Sequence, residues 1–179
     1  MVKKDSITSF WRITAPHPAV LATAVSKKGK PNIISLAWAI PASIKPPLFV
    51  ISVGKTRYTH QLLEETGEYV VNVPTKELAD KVQFCGSVSG RSVDKIAKSG
   101  LTLKPAKKVK PPIIAECIAH IECKVINKVS AGDHTLFVGE VLAAYAEDAF
   151  TDKWDISKVK LLQHVGVNTY STPSEPFNA

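Results

Sequence analysis

Residues 52–74 of this chain read SVGKTRYTHQLLEETGEYVVNVP. The stretch passes from an apolar strand through a turn rich in glycine, cations and threonine into a helix, and then into a second strand. The first turn of a helix offers unpaired backbone N–H groups and the positive end of the helix dipole, which suit an anion. We therefore expect the phosphate of an anionic cofactor at Gly54, Lys55, Arg57 and Thr59. The alternative is a surface turn in which Thr59 only caps the helix.

Length and composition predict one folded domain over residues 1–179. Hydrophobic residues make up 45% of the chain and charged residues 22%, which is typical of a globular protein. The N-terminus lacks an apolar run of signal-peptide length, and no segment reaches the roughly 18 apolar residues of a membrane span. We therefore expect a cytoplasmic protein with no membrane partner. Three cysteines, Cys85, Cys117 and Cys123, leave one unpaired in any disulfide scheme and are predicted to be reduced.

The apolar pattern outside the opening stretch is mainly that of β-strands. Two β-branched runs flank a polar turn at 27–32, which predicts a hairpin, and the continuous apolar run PPLFVISV predicts a strand buried on both faces. From Ala119 onward the alternation predicts a strand with one solvated face, which carries His120, Glu122 and Lys124. The turn at 130–134 then leads into a long antiparallel partner strand.

Short helices are expected between these strands. The first ends at Gly67, the second begins after a Thr75 cap, and the third has Ser92 as its cap and Gly100 as its end. Antiparallel strands with inserted short helices favour a closed or partly closed barrel over a parallel sheet. Gly139, inside a strand, predicts a bulge or a close approach of another backbone.

The net charge of +7 favours phosphate-bearing partners without choosing among them. The densest basic run, 104–110, is broken by Pro105 and has no interleaved aromatic residues for base stacking. We interpret it as a solvated connection. A basic barrel that binds nucleic acid is the weakest functional hypothesis, because aromatic residues are only 7% of the chain and do not cluster; no nucleic-acid partner is expected.

A series of segments, taken in order, resembles the flavin reductase-like family. The segments are HPAVLATAV, NIISLAWAIPASIKPPLFVISVG, RYTHQLLEETGEYVVNVP, FCGSVSGRSVDKI, ECIAHIECKVI and GDHTLFVGEV. The resemblance implies a mainly β fold with short α insertions, an antiparallel Greek-key split β-barrel of the FMN-binding, flavoredoxin-like type. It places the core at about 16–145 and a C-terminal extension at about 146–179, and it implies a homodimer.

The same resemblance nominates cofactor-binding residues in four segments. Beside the flavin ring, where short side chains admit a flat ring, it nominates Ser35, Ala37, Trp38 and Ala39. At the phosphate turn it nominates Val53, Gly54, Lys55, Arg57 and Thr59. In a second flavin-contacting loop it nominates Cys85, Gly86, Ser89, Gly90 and Lys95. Near the C-terminus, close to the flavin or a dimer contact, it nominates His164 and Tyr170.

Several of these residues have structural alternatives. A lone tryptophan in a strand, such as Trp38, is more often a core residue than a ligand contact, and Cys85 is explained as a small apolar neighbour rather than a nucleophile. Val167 and Asn168 depart from the glycine-rich form of their segment in the family. Asn72, in a strand, is expected to be a buried structural amide.

The resemblance implies an oxidoreductase in which bound FMN carries the chemistry, so no side chain is predicted to be catalytic and no metal site is expected. An NAD(P)H-dependent flavin or ferric-type reductase is the first hypothesis. Without a GxGxxG fingerprint, NADH or NADPH would bind transiently over the flavin. The alternative is an FMN-binding electron carrier without its own NAD(P)H oxidase activity, served by a redox protein partner.

Overall fold

A computed structural model describes residues 7–176 of the chain, so the last three residues of the predicted C-terminal extension lie outside the described residues. The strands are β1 His17–Pro18, β2 Val20–Val25, β3 Pro31–Leu36, β4 Ala39–Ser43, β5 Leu48–Gly54, β6 Glu68–Val73, β7 Leu103–Lys104, β8 Ile113–Ile114, β9 Ala119–Ala131, β10 His134–Ala146, β11 Gln163–Gly166 and β12 Thr169–Ser171. The helices are α1 Tyr58–Thr66, α2 Ala79–Ser87 and α3 Lys95–Ser99, with 3₁₀ turns at Ile7–Arg12 and Lys76–Leu78. None of these helices is long and apolar enough to cross a bilayer.

Seven strands form one antiparallel sheet in the order β3-β2-β6-β9-β10-β5-β4. β3 and β4 lie at opposite edges of this sheet although only Ala37 and Trp38 separate them in the chain. The sheet must therefore curl until its two edges approach at this bend, and β3 also contacts β5. The predicted split β-barrel with short helical insertions is confirmed. Two small sheets, β1-β11-β12 and β7-β8, flank it.

The buried apolar side chains form two clusters on either side of the sheet. One cluster contains Ile51, Tyr69 and Phe137. The other packs α2 against β2 and β3 and contains Cys85, as predicted for a small apolar neighbour. Burial raises the pKa of the Cys85 thiol. Cys117 and Cys123 are also buried and unbridged.

Gly139 sits at an irregularity of the β9–β10 pairing, as predicted. A Cβ atom at this position would lie 2.5 Å from the Tyr69 hydroxyl oxygen and 2.8 Å from the Cys123 Cβ. The Tyr69 hydroxyl donates a hydrogen bond to the Phe49 carbonyl, at 2.7 Å. Only glycine leaves room for this buried tyrosine. The predicted bulge at Gly139 is therefore confirmed, whereas the close approach comes from side chains and not from another backbone.

Asn72 is fully buried and fully hydrogen-bonded. Its amide nitrogen donates to the Leu21 carbonyl at 3.0 Å, and its oxygen lies 2.9 Å from the Ile114 N–H and 2.8 Å from the His120 Nδ1. These bonds tie β2, β6, β8 and β9 together. The predicted structural role of this amide is confirmed.

The prediction of a solvated second face on β9 is wrong at His120 and Glu122, which the basic run covers, and correct at Lys124, which is exposed. Glu122 is fully buried and His120 is 7% exposed. The Glu122 carboxylate accepts hydrogen bonds from the backbone N–H groups of Lys107 and Lys108, at 2.8 and 2.6 Å, and from the Tyr145 hydroxyl at 2.9 Å. The lysine side chains of the run remain exposed, as predicted. The connection is therefore solvated on one side and bonded to the barrel on the other.

Glu122→Gln is expected to lower the free energy of unfolding by about 2 kcal/mol at neutral pH, because a neutral amide replaces an acceptor of charge-assisted bonds. Burial raises the pKa of Glu122, but the bonds from Lys107, Lys108 and Tyr145 outweigh burial and hold it below its ordinary value. The carboxylate's contribution is therefore complete above about pH 4.3 and is lost as the pH falls below that value. Urea unfolding at pH 7 and pH 3.5 checks this: the difference between the two proteins should shrink on acidification, and a constant difference would contradict it.

Local details of two elements also differ from prediction. β5 is buried on one face only, through Phe49, Ile51 and Val53, so the prediction of two buried faces is wrong; its second face belongs partly to the cleft described below. The cap of α3 is Asp94, whose carboxylate accepts bonds from the N–H groups of Ile96 and Ala97, and not Ser92.

The predicted ends of the helices hold better than the predicted starts. Thr75 makes no capping bond with its side chain. Gly67 and Gly100 do end α1 and α3, with φ of 65° and 63°, as expected for left-handed caps.

Candidate functional site

A cleft of about 300 Å³ opens at the bend between β3 and β4. The strand side of the cleft, from Ile34 to Trp38, faces the β5–α1 turn and Gly86. The cleft is lined by Trp11, Arg12, Ala15, His17, Ile34, Ser35, Leu36, Ala37, Trp38, Ser52, Gly54, Arg57, Gly86, His134, His164, Val165, Gly166 and Val167. The closure of the barrel thus creates the site, because the bend brings both sheet edges to it.

A second pocket of about 200 Å³ adjoins the cleft and shares Ile34, Arg57 and Gly86 with it. The start of α1 and the 86–90 loop supply most of its remaining lining, together with Lys95. Together the two hollows fall within the range of about 300–1,000 Å³ typical of small-molecule sites. The shape is that of a larger chamber with a basic side chamber.

The β5–α1 turn presents Arg57 at the junction of the two hollows. The Arg57 N–H closes the turn by donating to the Gly54 carbonyl at 2.9 Å, and α1 begins at the next residue. The guanidinium is exposed and makes no hydrogen bond within the described residues 7–176. A free guanidinium beside a helix start is a suitable binding group for a phosphate.

The side chains of Thr59 and Lys55, both predicted to bind a phosphate, are engaged in hydrogen bonds with other parts of the protein. The Thr59 hydroxyl is buried and accepts a bond from the Asn32 amide at 2.8 Å, so the alternative in which Thr59 caps the helix is wrong. The Lys55 ammonium donates to the Ser130 hydroxyl at 2.8 Å and the Gly132 carbonyl at 2.6 Å. Lys55 therefore secures the β9–β10 turn.

Lys95 brings a buried amine to the side chamber. The side chain is 5% exposed, and its Nζ donates to the carbonyls of Ile33 and Cys85, at 2.9 and 2.6 Å. Burial lowers the pKa of Lys95, and the Arg57 charge lowers it further. An anion in this chamber would favour the charged amine, so the geometry provides two neighbouring cations for one ligand.

Gly86, in the last turn of α2, and Gly90, in the loop that follows, pack closely on β3. A Cβ at Gly86 would lie 3.3 Å from the Ser35 Cβ, and a Cβ at Gly90 would overlap the Asn32 side-chain oxygen. Arg91 fixes the other side of the turn by donating to the Thr56 carbonyl at 2.9 Å. The cavity walls therefore carry short side chains here, and contacts to β3 and to the β5–α1 turn hold them in place.

Trp38 lies at the rim of the cleft and not in the core. It is 39% exposed, and its ring lies 4.9 Å from the His134 ring, tilted by 45°. His134 itself was missed by sequence reasoning, although it belongs to the GDHTLFVGEV segment. Only the register of β10 with β5, which pairs His134 with Gly54, places it at the site.

The wall facing the bend comes from the two ends of the chain. β1 and β11 pair with His17 opposite His164, and His17 Nε2 lies 3.1 Å from the Trp11 carbonyl oxygen. The predicted C-terminal extension thus contributes directly to the cleft, through His164 and its neighbours. Trp11, Arg12 and His17 carry no local signal that would have identified them.

Tyr170 lies in an adjoining hollow on the α2 side of the bend. Its hydroxyl donates to the Gln83 side-chain oxygen at 2.8 Å. Among the sixteen predicted residues, twelve border the cleft or its two adjoining hollows. The side chains of Ala39, Val53, Lys55 and Cys85 do not. The binding roles themselves remain predictions, and residues 7–176 contain no cluster of ligands for a metal ion.

Val167 adopts a left-handed backbone, with φ of 53°, at the tip of the β11–β12 turn. This conformation is costly for a β-branched residue, and the side chain is 69% exposed. Val167→Gly is therefore expected to raise the free energy of unfolding by about 0.5–1 kcal/mol. Thermal unfolding of the two proteins checks this, with Val165→Gly as the comparison, which should destabilise; a Val167→Gly protein that is also less stable would contradict the strain.

A sequence profile described as the flavin reductase like domain matches residues 12–161. An uncharacterized protein of Archaeoglobus fulgidus is 44% identical over 163 residues, covering 90% of this chain and 92% of that protein. Among solved structures, a flavoredoxin from Methanosarcina acetivorans superimposes with a TM-score of 0.85 at 32% identity, covering 100% of this chain and 94% of the other. An FMN-binding protein from Thermus thermophilus with bound p-hydroxybenzaldehyde gives a TM-score of 0.85 at 26% identity, with coverage of 100% and 98%.

Proposed function

Because this chain belongs to the flavin reductase-like family, we propose that it is an oxidoreductase that passes electrons through FMN bound in the cleft at the β3–β4 bend. The observation that carries the proposal is the joined pair of hollows, one wide and short-walled, the other small and basic. FMN has the matching parts, a planar ring and a phosphate.

The wide chamber fits the flavin ring. Ser35, Ala37 and Gly86 are short, so a flat ring can lie against the main chain there, and Ile34 and Leu36 add apolar surface. A Cβ at Gly86 would lie only 3.3 Å from the Ser35 Cβ, so this wall of the chamber is closely packed. A bulkier residue at these positions would push the ring outward.

The side chamber fits the phosphate. Arg57 and Lys95 supply two cations for a dianion, and the first N–H groups of α1 add donors in the orientation that anions prefer. FMN, when bound, supplies the two-electron redox chemistry. The residues of this chain bind, orient and electrostatically stabilise it.

NADH or NADPH is the proposed electron donor. Trp38 and Val167 both line the cleft and are 39% and 69% exposed, so the cleft is open at these residues to a second planar ligand. Protein loaded with FMN is mixed anaerobically with each donor. Loss of the flavin absorbance with one of them is expected, and a protein that takes up no FMN would contradict the proposal.

An electron-carrier role is the second candidate, favoured by the similarity to a flavoredoxin at 32% identity. Arg12, Arg57 and Arg91 are exposed around the cleft and suit an acidic redox protein. The same anaerobic mixing separates the two candidates. An FMN-loaded protein that neither donor reduces is the carrier.

We also propose that the chain forms a homodimer. β4 is an edge strand of the main sheet and exposes Ile40 at 63%, and Ile44, directly after the strand, is 88% exposed, as expected for surface that a second subunit covers. Light scattering of the purified protein measures the oligomeric state.

A cytoplasmic location is supported by the unbridged cysteines at positions 85, 117 and 123.

A further inference from the structure

Asp133 and His134 form an acid–imidazole pair at the cleft that FMN binding alone does not require. The His134 Nδ1 lies 2.7 Å from the Asp133 carboxylate, and the Asp133 side chain is 93% exposed while that of His134 is 26% exposed. The carboxylate therefore holds the ring from the solvent side. The hydrogen bond fixes Nδ1 as the donor when the imidazole is neutral.

The other ring nitrogen is available to a ligand. His134 lines the cleft, and its Nε2 makes no hydrogen bond with any residue that the structure describes, from 7 to 176. Trp38 packs on the imidazole at 4.9 Å, and a Cβ at Gly54 would come within 3.5 Å of Nε2. The ring is thus positioned from three sides, and its free nitrogen is the acceptor.

Charged groups from several elements surround His134, so a charged ligand in the cleft acts on the imidazole together with them. Asp133 favours the imidazolium. The other charged and titratable groups around the cleft are Lys55 from the β5–α1 turn, Arg57 from the start of α1, and Arg12, His17 and His164 from the facing wall. A new negative charge in the cleft adds to the effect of Asp133 and favours the protonated ring.

We propose that His134 takes up one proton when FMN in the cleft is reduced, so that its imidazolium compensates the negative charge, and that Asp133 acts as its positioning residue. This rests on the proposed function. In the balanced step, the C–H bond of a hydride donor breaks, two electrons and that hydrogen pass to the flavin, and the donor is oxidised. A second proton moves from water to the Nε2 of His134.

The pH dependence of the two-electron midpoint potential tests this without any physiological donor. The measurement covers the pH range in which the absorption spectrum shows the reduced flavin to be anionic. Each proton taken up per two electrons contributes about 30 mV per pH unit. We expect a slope of about 60 mV per pH unit for the wild type and about 30 for His134→Gln. Equal slopes in the two proteins would overturn the proposal.

Further variants test whether the steeper pH dependence of the midpoint potential comes from His134 and Asp133. Asp133→Asn should shift the steeper region to lower pH, whereas the matched surface change Asp148→Asn should leave it in place. Loss of the steeper slope in His164→Gln but not in His134→Gln would also overturn the proposal.

A measurement on the wild type tests the proposal even where the His134→Gln protein does not fold. In ¹⁵N-histidine-labelled protein, one imidazole should change from neutral to imidazolium on anaerobic reduction, and no change in any of the five histidines would overturn the inference. A wild type that binds no FMN removes the proposed function itself. A wild type that binds FMN with a slope of about 30 mV per pH unit removes only this inference.

Discussion

Arg57→Ala is expected to weaken FMN binding by about 100-fold, because each charge-assisted hydrogen bond to a phosphate contributes about 1.5–3 kcal/mol and every 1.4 kcal/mol is about tenfold in affinity. The guanidinium stands at the junction of the two hollows without a bond to the rest of the described chain. Its removal costs the fold little and the ligand much. Quenching of flavin fluorescence on titration of the apoprotein measures the affinity.

Riboflavin is the control ligand for this prediction, since it has the same ring and no phosphate. Its affinity should change less than about threefold in Arg57→Ala. Lys98→Ala, which removes an exposed cation of the nearby α3, is the control variant and should bind FMN like the wild type. Equal losses for FMN and riboflavin would show that Arg57 does not bind the phosphate.

Lys95→Met is expected to remove detectable FMN binding, because it removes one of the two cations proposed for the phosphate. It is also expected to lower the free energy of unfolding by about 2 kcal/mol, because the buried carbonyls of Ile33 and Cys85 lose their hydrogen-bond donor. Methionine keeps the length and the apolar stem, so the change acts mainly on the amine. Urea unfolding of the apoprotein and FMN titration measure the two effects separately.

Lys81→Met is the matched control, because the Lys81 ammonium also donates to a backbone carbonyl, that of Gly100 at 3.2 Å, but does so at an exposed position. It should change stability by less than about 0.5 kcal/mol and leave FMN binding intact. If Lys95→Met bound FMN as tightly as the wild type, the buried amine would have no part in the site.

Those features of the fold that depend on a few adjacent residues could be predicted from the sequence. The hairpin around Gly29, the left-handed ends at Gly67 and Gly100, and the bulge at Gly139 each rest on a local pattern. Glycine at such positions has a direct steric reason. The pattern therefore identifies both the residue and its role.

The environment of a strand face could not be predicted in the same way. Alternation along β9 shows which residues share a face but not what covers that face. The backbone of residues 107 and 108 covers that face, and these residues lie 15 and 14 positions before Glu122 in the chain. A buried carboxylate and a solvated one have the same sequence pattern.

In the candidate site, too, the residues that belong to local sequence patterns could be predicted, and those brought in by distant strand pairing could not. Arg57, Gly86, Gly90 and Lys95 lie in two contiguous segments, and matching those segments to a family was enough to nominate them. His134 and the wall formed by residues 11–17 reach the cleft only through pairing between distant strands. No spacing along the chain reveals such pairing, so the second half of the site needed the structure.

The most direct test of the account is the electron density of crystals grown with FMN. The account predicts the flavin ring against residues 35–38 and Gly86, with the phosphate within hydrogen-bonding distance of Arg57 and Lys95. An empty cleft at saturating FMN, or FMN bound with its phosphate away from both cations, would contradict it.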